Sequence, residues 1–228
     1  VMADTQTESW WQQIMGFGLV GELAGVSLKV LPSMVISVQD FFERYPEGRI
    51  LSPKTGTKAE QWYGTNPYQE YDKISGKPYE RFFDQSKVDG RLQAMERIIN
   101  LEGPNGYKVY PFSLIKEQGV INDEFQGKEI VIFYKEGAVS VLDHKEISKS
   151  KSIGSATMFS AVRKGIPLTS KKEQDFFIDL ETRSKWDITG RCVDGEFRGA
   201  QLKLETFSNH FAFAWLAFYP DSEIYTKE

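Results

Sequence analysis

Asp4-Thr5-Gln6-Thr7-Glu8-Ser9-Trp10-Trp11 and Asp179-Leu180-Glu181-Thr182-Arg183-Ser184-Lys185-Trp186 are the stretches from which the architecture can be read. At a constant offset, Asp4 meets Asp179, Thr7 meets Thr182, Ser9 meets Ser184 and Trp11 meets Trp186. Side chains this different in chemistry, one of them the rare tryptophan, do not coincide through composition alone. One residue is dropped before the next glycine and the match resumes: Gly16 with Gly190, Gly21 with Gly195, Glu22 with Glu196, Gly25 with Gly199, Leu28 with Leu202 and Lys29 with Lys203. It runs on ungapped to Tyr45-Pro46 with Tyr219-Pro220 and to Ile50 with Ile224. A match of this length reads as an internal duplication.

Both copies predict the same local structure. The apolar steps Val1–Ala3 and Phe176–Ile178 run into Asp-x-x-Thr, whose Asp side chain accepts from backbone amides just ahead of it and closes a turn. Ser and Trp alternate onto a second short strand, and the spaced glycines suit tight turns where a Cβ would obstruct the backbone. Leu28-Lys29-Val30 and Leu202-Lys203-Leu204 alternate like a half-buried strand. A helix follows in each, capped by Ser37 in one copy and Ser208 in the other and stopped before Pro46 and Pro220. Val38–Arg44 has one wet face, whereas His210–Phe218 is apolar all round, which predicts a central position for the second helix.

Ahead of Asp179, strand-like runs lie at 97–102, 107–110, 128–134, 138–143 and 156–163, with a turn at Gly103-Pro104-Asn105-Gly106 and a short helix at 111–118. The first copy has no counterpart to them, so roughly eighty further residues, mostly strands, are expected upstream of Val1. Residues 52–95 carry Trp62, Tyr63, Tyr68, Tyr71, Tyr79, Phe82 and Phe83, too many aromatics for a free linker. They predict an ordered arm strapped over the core, with a binding surface of tyrosines as the functional alternative. The expected organisation is a truncated first unit (1–51), the arm (52–95) and a second, fuller unit (96–228). The fold class is α+β and β-rich: two related units of short antiparallel strands, each ending in one helix.

Composition excludes some functions. Lys+Arg 28 against Asp+Glu 32 gives a net charge of -4 and no basic field to recruit nucleic acid. The longest apolar run, around Phe211–Phe218, is far short of the roughly 20 residues that span a bilayer, so no transmembrane segment is expected. The lone Cys192 can form neither an internal disulfide nor a multi-thiolate metal site.

Val1-Met2-x-Asp4-x-x-Thr7-x-Ser9-x-Trp11-x-Gln13, Gly21-x-x-x-Gly25, Tyr45-Pro46, Asn66-Pro67-Tyr68-x-x-Tyr71, Tyr110-Pro111, Asn122-Asp123 and His210-Phe-Ala-Phe-Ala-Trp215 followed by Pro220 together resemble the DUF3179 family of bacterial and archaeal proteins. The resemblance implies an exported or lipid-anchored protein of uncharacterised function, of which this chain is the C-terminal part. It also implies a Cys-Pro-x-Cys stretch upstream of Val1. The matching place in the second unit, Phe133–Gly137, has no cysteine, so a redox or metal role is not carried over to these residues. Asp-x-x-Thr followed by Trp also resembles the blades of quinoprotein-like propellers, but such turns recur about every 40 to 50 residues there, far closer than here.

Candidate chemistry is sparse. Asp4 with Glu22, and Asp179 with Glu196, could pair as acid and base, although an Asx turn and a surface glutamate account for them equally. His210, beside Asn209 at the predicted helix start, would be kept neutral by the helix N-terminus and free to bind a metal or polar ligand; the plainer reading is a packed or capping histidine. His144 lies in a polar loop, and the two histidines lack zinc-site spacing, so no metal site is expected. Cys192 would be a nucleophile only beside a base such as His210 and otherwise a buried small hydrophobe. Asn122-Asp123 reads as a turn at a strand end. The binding candidates are His210, Asn209, Glu196, Asn122, Asp123, Tyr68 and Tyr71; no motif names a cofactor. Two functions follow: a non-catalytic extracytoplasmic binding or interaction protein, or an enzyme or metal/redox protein whose centre straddles the two units and uses residues upstream of Val1.

Overall fold

The computed structural model describes residues 1–227. β1 (Met2–Ala3), β2 (Trp10–Gln12) and β3 (Phe17–Val20) form a small antiparallel sheet, and an extended run leads to α1 (Val38–Arg44). Ser37 caps α1, its hydroxyl accepting from the Asp40 amide at 3.0 Å. The arm holds two 3-10 turns, Lys58–Trp62 and Gln85–Lys87. The hairpin β4 (Arg97–Gly103) and β5 (Gly106–Pro111) is followed by α2 (Phe112–Gln118) and by β6 (Val120–Phe125), β7 (Lys128–Lys135) and β8 (Ser155–Ser160). A small hairpin, β9 (Val162–Arg163) and β10 (Ile166–Pro167), precedes the antiparallel sheet of β11 (Ser170–Glu173), β12 (Phe176–Asp179), β13 (Lys185–Trp186) and β14 (Cys192–Asp194). The last elements are β15 (Asn209–Phe211), α3 (Ala212–Phe218) and β16 (Glu223–Ile224). β15 adds antiparallel to β4 and β16 parallel to β5, giving the order β15-β4-β5-β16. The architecture is β-rich α+β, as the patterning predicts.

Strand alternation explains the layering, because successive side chains face opposite sides. Ile130, Ile132 and Tyr134 of β7 face Ile99, Leu101 and Tyr110 of the β4–β5 sheet. Val131 and Phe133 face the other way, onto Phe177, Trp186, Cys192 and Leu202, and Phe133 stacks on Phe177 with ring centroids 4.0 Å apart. On the far side of the β4–β5 sheet, Ile98 and Val109 meet Ala212, Trp215 and Leu216 of α3. The layers therefore run α3, β4–β5 sheet, β6–β8 sheet, β11–β14 sheet. A sheet covered on both faces carries continuous apolar runs rather than alternation, which is why Ile130–Tyr134 has no polar residue. Each large side chain buried here stabilises by about 1.5–3 kcal/mol.

The two Asp-Thr-Ser-Trp turns close with the same bonds. Asp179 accepts from the Thr182 amide (2.6 Å), the Thr182 hydroxyl (2.7 Å) and the Trp186 indole (2.8 Å). Asp4 accepts from the Thr7 amide (2.7 Å), the Thr7 hydroxyl (2.8 Å) and the Trp11 indole (2.9 Å). Ser184 and Ser9 accept from the amides of Phe197 (3.1 Å) and Leu23 (2.9 Å). Gly195 and Gly21 have φ of 94° and 98°, and a Cβ on either would lie 2.7 Å or less from the Cα of Ser184 or Ser9. Glycine is required there on both counts.

Several elements differ from the sequence patterns. Ser208 does not cap α3; β15 intervenes, and the helix starts at Ala212 with Phe211 at its N-cap. Leu28–Val30 and Leu202–Leu204 form no strand; isolated bridges lie just before them, at Ser27–Phe17 and Gln201–Arg191, and at Leu204–Phe159. Residues 138–143 form a loop, because the arm captures their polar groups: Leu142 and Asp143 carbonyls accept from the Tyr71 and Glu70 amides (3.1 and 2.8 Å), and the Ser140 hydroxyl donates to Asp72. Asp72, itself buried, also receives Arg97 and Lys151, both at 3.0 Å, fastening the arm to β4 and to the loop before β8. Nor is α3 central. Its Ala212-Trp215-Leu216 stripe is buried on the sheet, and its outer side is partly covered by the arm, with Phe83 edge-on to Phe213 at 5.0 Å. The helix is apolar all round because it has two apolar neighbours, yet Phe218 remains 39% exposed.

Candidate functional site

Asn122-Asp123 lies within β6, opposite Val131 and Ile130, not at a strand end. Alternation sends its two side chains to opposite faces. Asn122 turns toward β11, where its amide donates to the Ser170 carbonyl (2.8 Å) and its carbonyl accepts from the Ser170 amide (2.7 Å). Asp123 turns the way of Ile121 and Phe125, toward β5. There the Tyr-Lys-Val-Tyr run places Lys108 and Tyr110 on one face, and Asp123 accepts from Lys108 Nζ (2.8 Å) and from the Tyr110 hydroxyl (2.9 Å). The parallel pairing of β16 with β5 sets Glu223 opposite Lys108, so that Nζ also donates to Glu223 Oε1 at 3.0 Å.

These groups form one wall of a cleft of about 620 Å³ between β5, β6, the Pro167–Thr169 segment and the tail after β16. Lys108 is buried, with its ammonium 5.6 Å from the Tyr225 ring centroid and 5.9 Å from those of Tyr110 and Phe125. Burial pulls its amine down, but the bonds to Asp123 and Glu223 more than offset this and hold it above the ordinary lysine range. The Tyr110 hydroxyl is pushed up, first by burial and then by the charge of Asp123. Four carboxylates (Asp123, Glu124, Glu129, Glu223) and two ammonium groups (Lys108, Lys227) line the cleft. Such a site suits a neutral or cationic polar molecule better than an anion.

Of the sequence candidates, only Asn122 and Asp123 meet in this cleft. His210 pairs with Ile98 in β15, at the opposite edge of the same sheet, and its ring lies 5.1 Å from Trp215. Its pKa is lowered to about 4, and the cause is burial, not a helix N-terminus, since the helix begins two residues later. Asn209 beside it is exposed. Tyr71 stacks on Tyr79 (4.5 Å) and meets the edge of Phe211 (6.0 Å) as part of the arm, whereas Tyr68 points outward at 52% exposed. Glu196 is exposed on the turn after β14. Cys192 is buried in the β11–β14 layer, two sheets away from His210, and burial raises its thiol, so the pair that would activate it does not form. Among the described residues, no three His, Cys, Asp or Glu side chains stand together as metal ligands, and no helix is long and apolar enough to cross a membrane.

The residues that sequence reasoning missed are Lys108, Tyr110, Glu223 and Tyr225. A signal existed: Lys108 interrupts a strand otherwise apolar or aromatic, Tyr107–Tyr110, and a lysine buried in a strand needs a carboxylate partner. That the partners come from β6 and the last strand is a fact of topology, invisible in spacing.

A family model described as "Protein of unknown function (DUF3179)" matches residues 1–222, running through both turn units and the arm. No curated protein and no solved structure matches the chain.

Proposed function

The chain belongs to the DUF3179 family, and for it we propose a binding role without catalysis, exercised outside the cytoplasm, with a small polar ligand held in the Lys108–Asp123–Glu223 cleft. The observation that carries this reading is the state of the charged groups before any ligand arrives. Lys108 is fixed by two carboxylates and lies within 6 Å of three aromatic rings, and Tyr110 is held by Asp123. A group that moves protons at neutral pH has a pKa near 7. Lys108 and Tyr110 are both shifted further from it, which favours lasting hydrogen bonds over proton exchange. Placement outside the cytoplasm rests on the family's usual export; protease protection in fractionated cells tests it. The like turns at Asp4 and Asp179, with matching partners and matching glycine φ values, support reading residues 1–51 and 96–228 as two copies of one unit joined by the arm.

The test is thermal unfolding of the chain against sugars, polyols, amino acids and polyamines. A ligand at 100 times its Kd stabilises by about 2.7 kcal/mol, a rise of roughly 5–10 °C for a chain of this size. The rise is expected with a neutral or cationic compound and is expected to vanish in Asp123→Asn. A set in which no compound shifts the transition, or a shift that survives Asp123→Asn unchanged, overturns the proposal.

A further inference from the structure

Arg44, Arg163, Lys164 and Lys203 line a second cleft, of about 520 Å³, between the end of α1, the β9–β10 hairpin and residues 201–204. The hairpin divides it from the Lys108 cleft: Ala161 and Pro167 line that one, Val162–Lys164 this one. Its charge is the reverse, for among the described residues no carboxylate lines it. Lys203 has one outside the cleft, Glu205 at 3.6 Å, and the other three cations are in no ion pair among the described residues. Each guanidinium carries five N–H donors in a planar fork. Arg163 gives one to the Gln201 carbonyl at 3.3 Å, and the Arg44 guanidinium lies 4.6 Å from the Tyr45 ring centroid. The Nε of both is shielded from solvent and bonded to nothing. Unmet buried donors cost stability, and so do gathered like charges. The fold does not demand the arrangement: in the repeat Phe218 stands where Arg44 stands, so the end of the helix needs no cation.

We propose that this cleft binds an organic phosphate, its phosphoryl group taken by the Arg44 and Arg163 forks with Lys164 and Lys203 adding charge. The arginine fork matches two oxygens of one phosphate, giving geometry as well as charge. Each Nε–H is uncommitted, so a turn of the side chain toward the cleft presents it together with an Nη–H. Four cations without a counter-charge in the cleft favour a dianion over a monoanion such as a simple carboxylate. Met34, Tyr45 and Val162 supply an apolar wall, which favours an ester carrying a nonpolar group over inorganic phosphate. The net charge of -4 over the whole chain confines the positive field to the cleft, which suits a small ligand and not a polyanionic backbone. The site is independent of the Lys108 cleft and of the ligand proposed for it.

The experiment is titration calorimetry of the 228-residue chain with phenyl phosphate and with inorganic phosphate, and co-sedimentation with phosphatidylglycerol vesicles. Phenyl phosphate is expected to bind at one site with Kd below about 1 mM, at least about threefold tighter than inorganic phosphate. Arg44→Gln with Arg163→Gln is expected to weaken it at least about tenfold, and Lys203→Gln at least about twofold. Lys203 is exposed, so its replacement disturbs no packing and carries the test if the double variant does not fold. Asp123→Asn, in the other cleft, is expected to bind phenyl phosphate as the parent does. Sedimentation with the vesicles that is lost in the double variant assigns the phosphate to a lipid headgroup; phenyl phosphate binding without sedimentation assigns it to a soluble ester. The proposal is overturned if phenyl phosphate does not bind, binds no tighter than inorganic phosphate, or binds undiminished to the double variant or to Lys203→Gln. Binding that falls in Asp123→Asn, or sedimentation without phenyl phosphate binding, overturns it too.

Discussion

Asp179→Ala is the most informative single substitution in the scaffold. Asp179 is fully buried, and its carboxylate accepts the Thr182 amide, the Thr182 hydroxyl and the indole N–H of Trp186, itself fully buried. Alanine removes the acceptor but leaves the donors out of reach of water. A buried donor left unsatisfied costs about 1–3 kcal/mol, so the amide and the indole together cost about 4 kcal/mol. At about 2–4 °C per kcal/mol for a chain of this size, Tm falls by roughly 8–16 °C. The internal control is Asp4→Ala, which deletes the same three bonds in the first turn. There Asp4 and Trp11 are only half-buried, water replaces the lost acceptor, and the shift is expected to be clearly smaller. Calorimetry of both variants with urea midpoints as a second measure reads the difference. A drop below about 2 °C for Asp179→Ala, or equal drops for the two, would refute the argument that burial sets the cost of breaking this turn.

Three further expectations are independent of that one. Lys135→Met strips the cation from Asp40, whose side chain is 4% exposed; breaking one side of a buried pair costs about 3–5 kcal/mol, and the signature is faster protease cleavage within residues 1–51, with an unchanged cleavage pattern counting against it. His210 has a folded pKa of about 4 against 6.5 unfolded, so the unfolded chain binds the extra proton and stability is lost as pH falls from 6.5 to 4, by up to about 3 kcal/mol. His210→Phe, which keeps a ring on Trp215, should flatten that stretch of the stability curve relative to the parent; parallel curves would dismiss the assignment. Cys192, buried and with its thiol raised, should react with a disulfide reagent only at the rate of unfolding, so a fast reaction in native buffer would show that this layer opens.

Local chemistry was legible in the sequence because it is local. An Asp three residues before a Thr and seven before a Trp fixes its own turn, and the Ser37 cap and the strand bounds around Gly103–Gly106 follow from the same short-range rules. Residues 138–143 were misread because their backbone bonds go to an arm seventy residues earlier, and no pattern within the loop records that. The cleft is half legible: Asn122 and Asp123 are binding candidates from the sequence, although read there as a turn at a strand end, but Lys108 and Glu223 join them only through the β5–β6 layering and the parallel seating of β16.

The same contrast bears on how the two turn units differ. Short-range bonds hold each turn in shape whether or not its apolar face is covered, so Asp4 and Asp179 keep the same partners at nearly the same distances while Leu28 and Leu202 differ from half-exposed to buried. Turn geometry and face burial are therefore separable in this fold: the first is set within about twenty residues of chain, the second by whichever sheet lies opposite. A unit of this kind can stay folded around its own hydrogen bonds with an uncovered face. It follows that Asp4→Ala and Leu28→Lys should act additively in the 228-residue chain, since they fall on independent terms, whereas any polypeptide that covers the face makes the two sites part of one packed body and their effects non-additive.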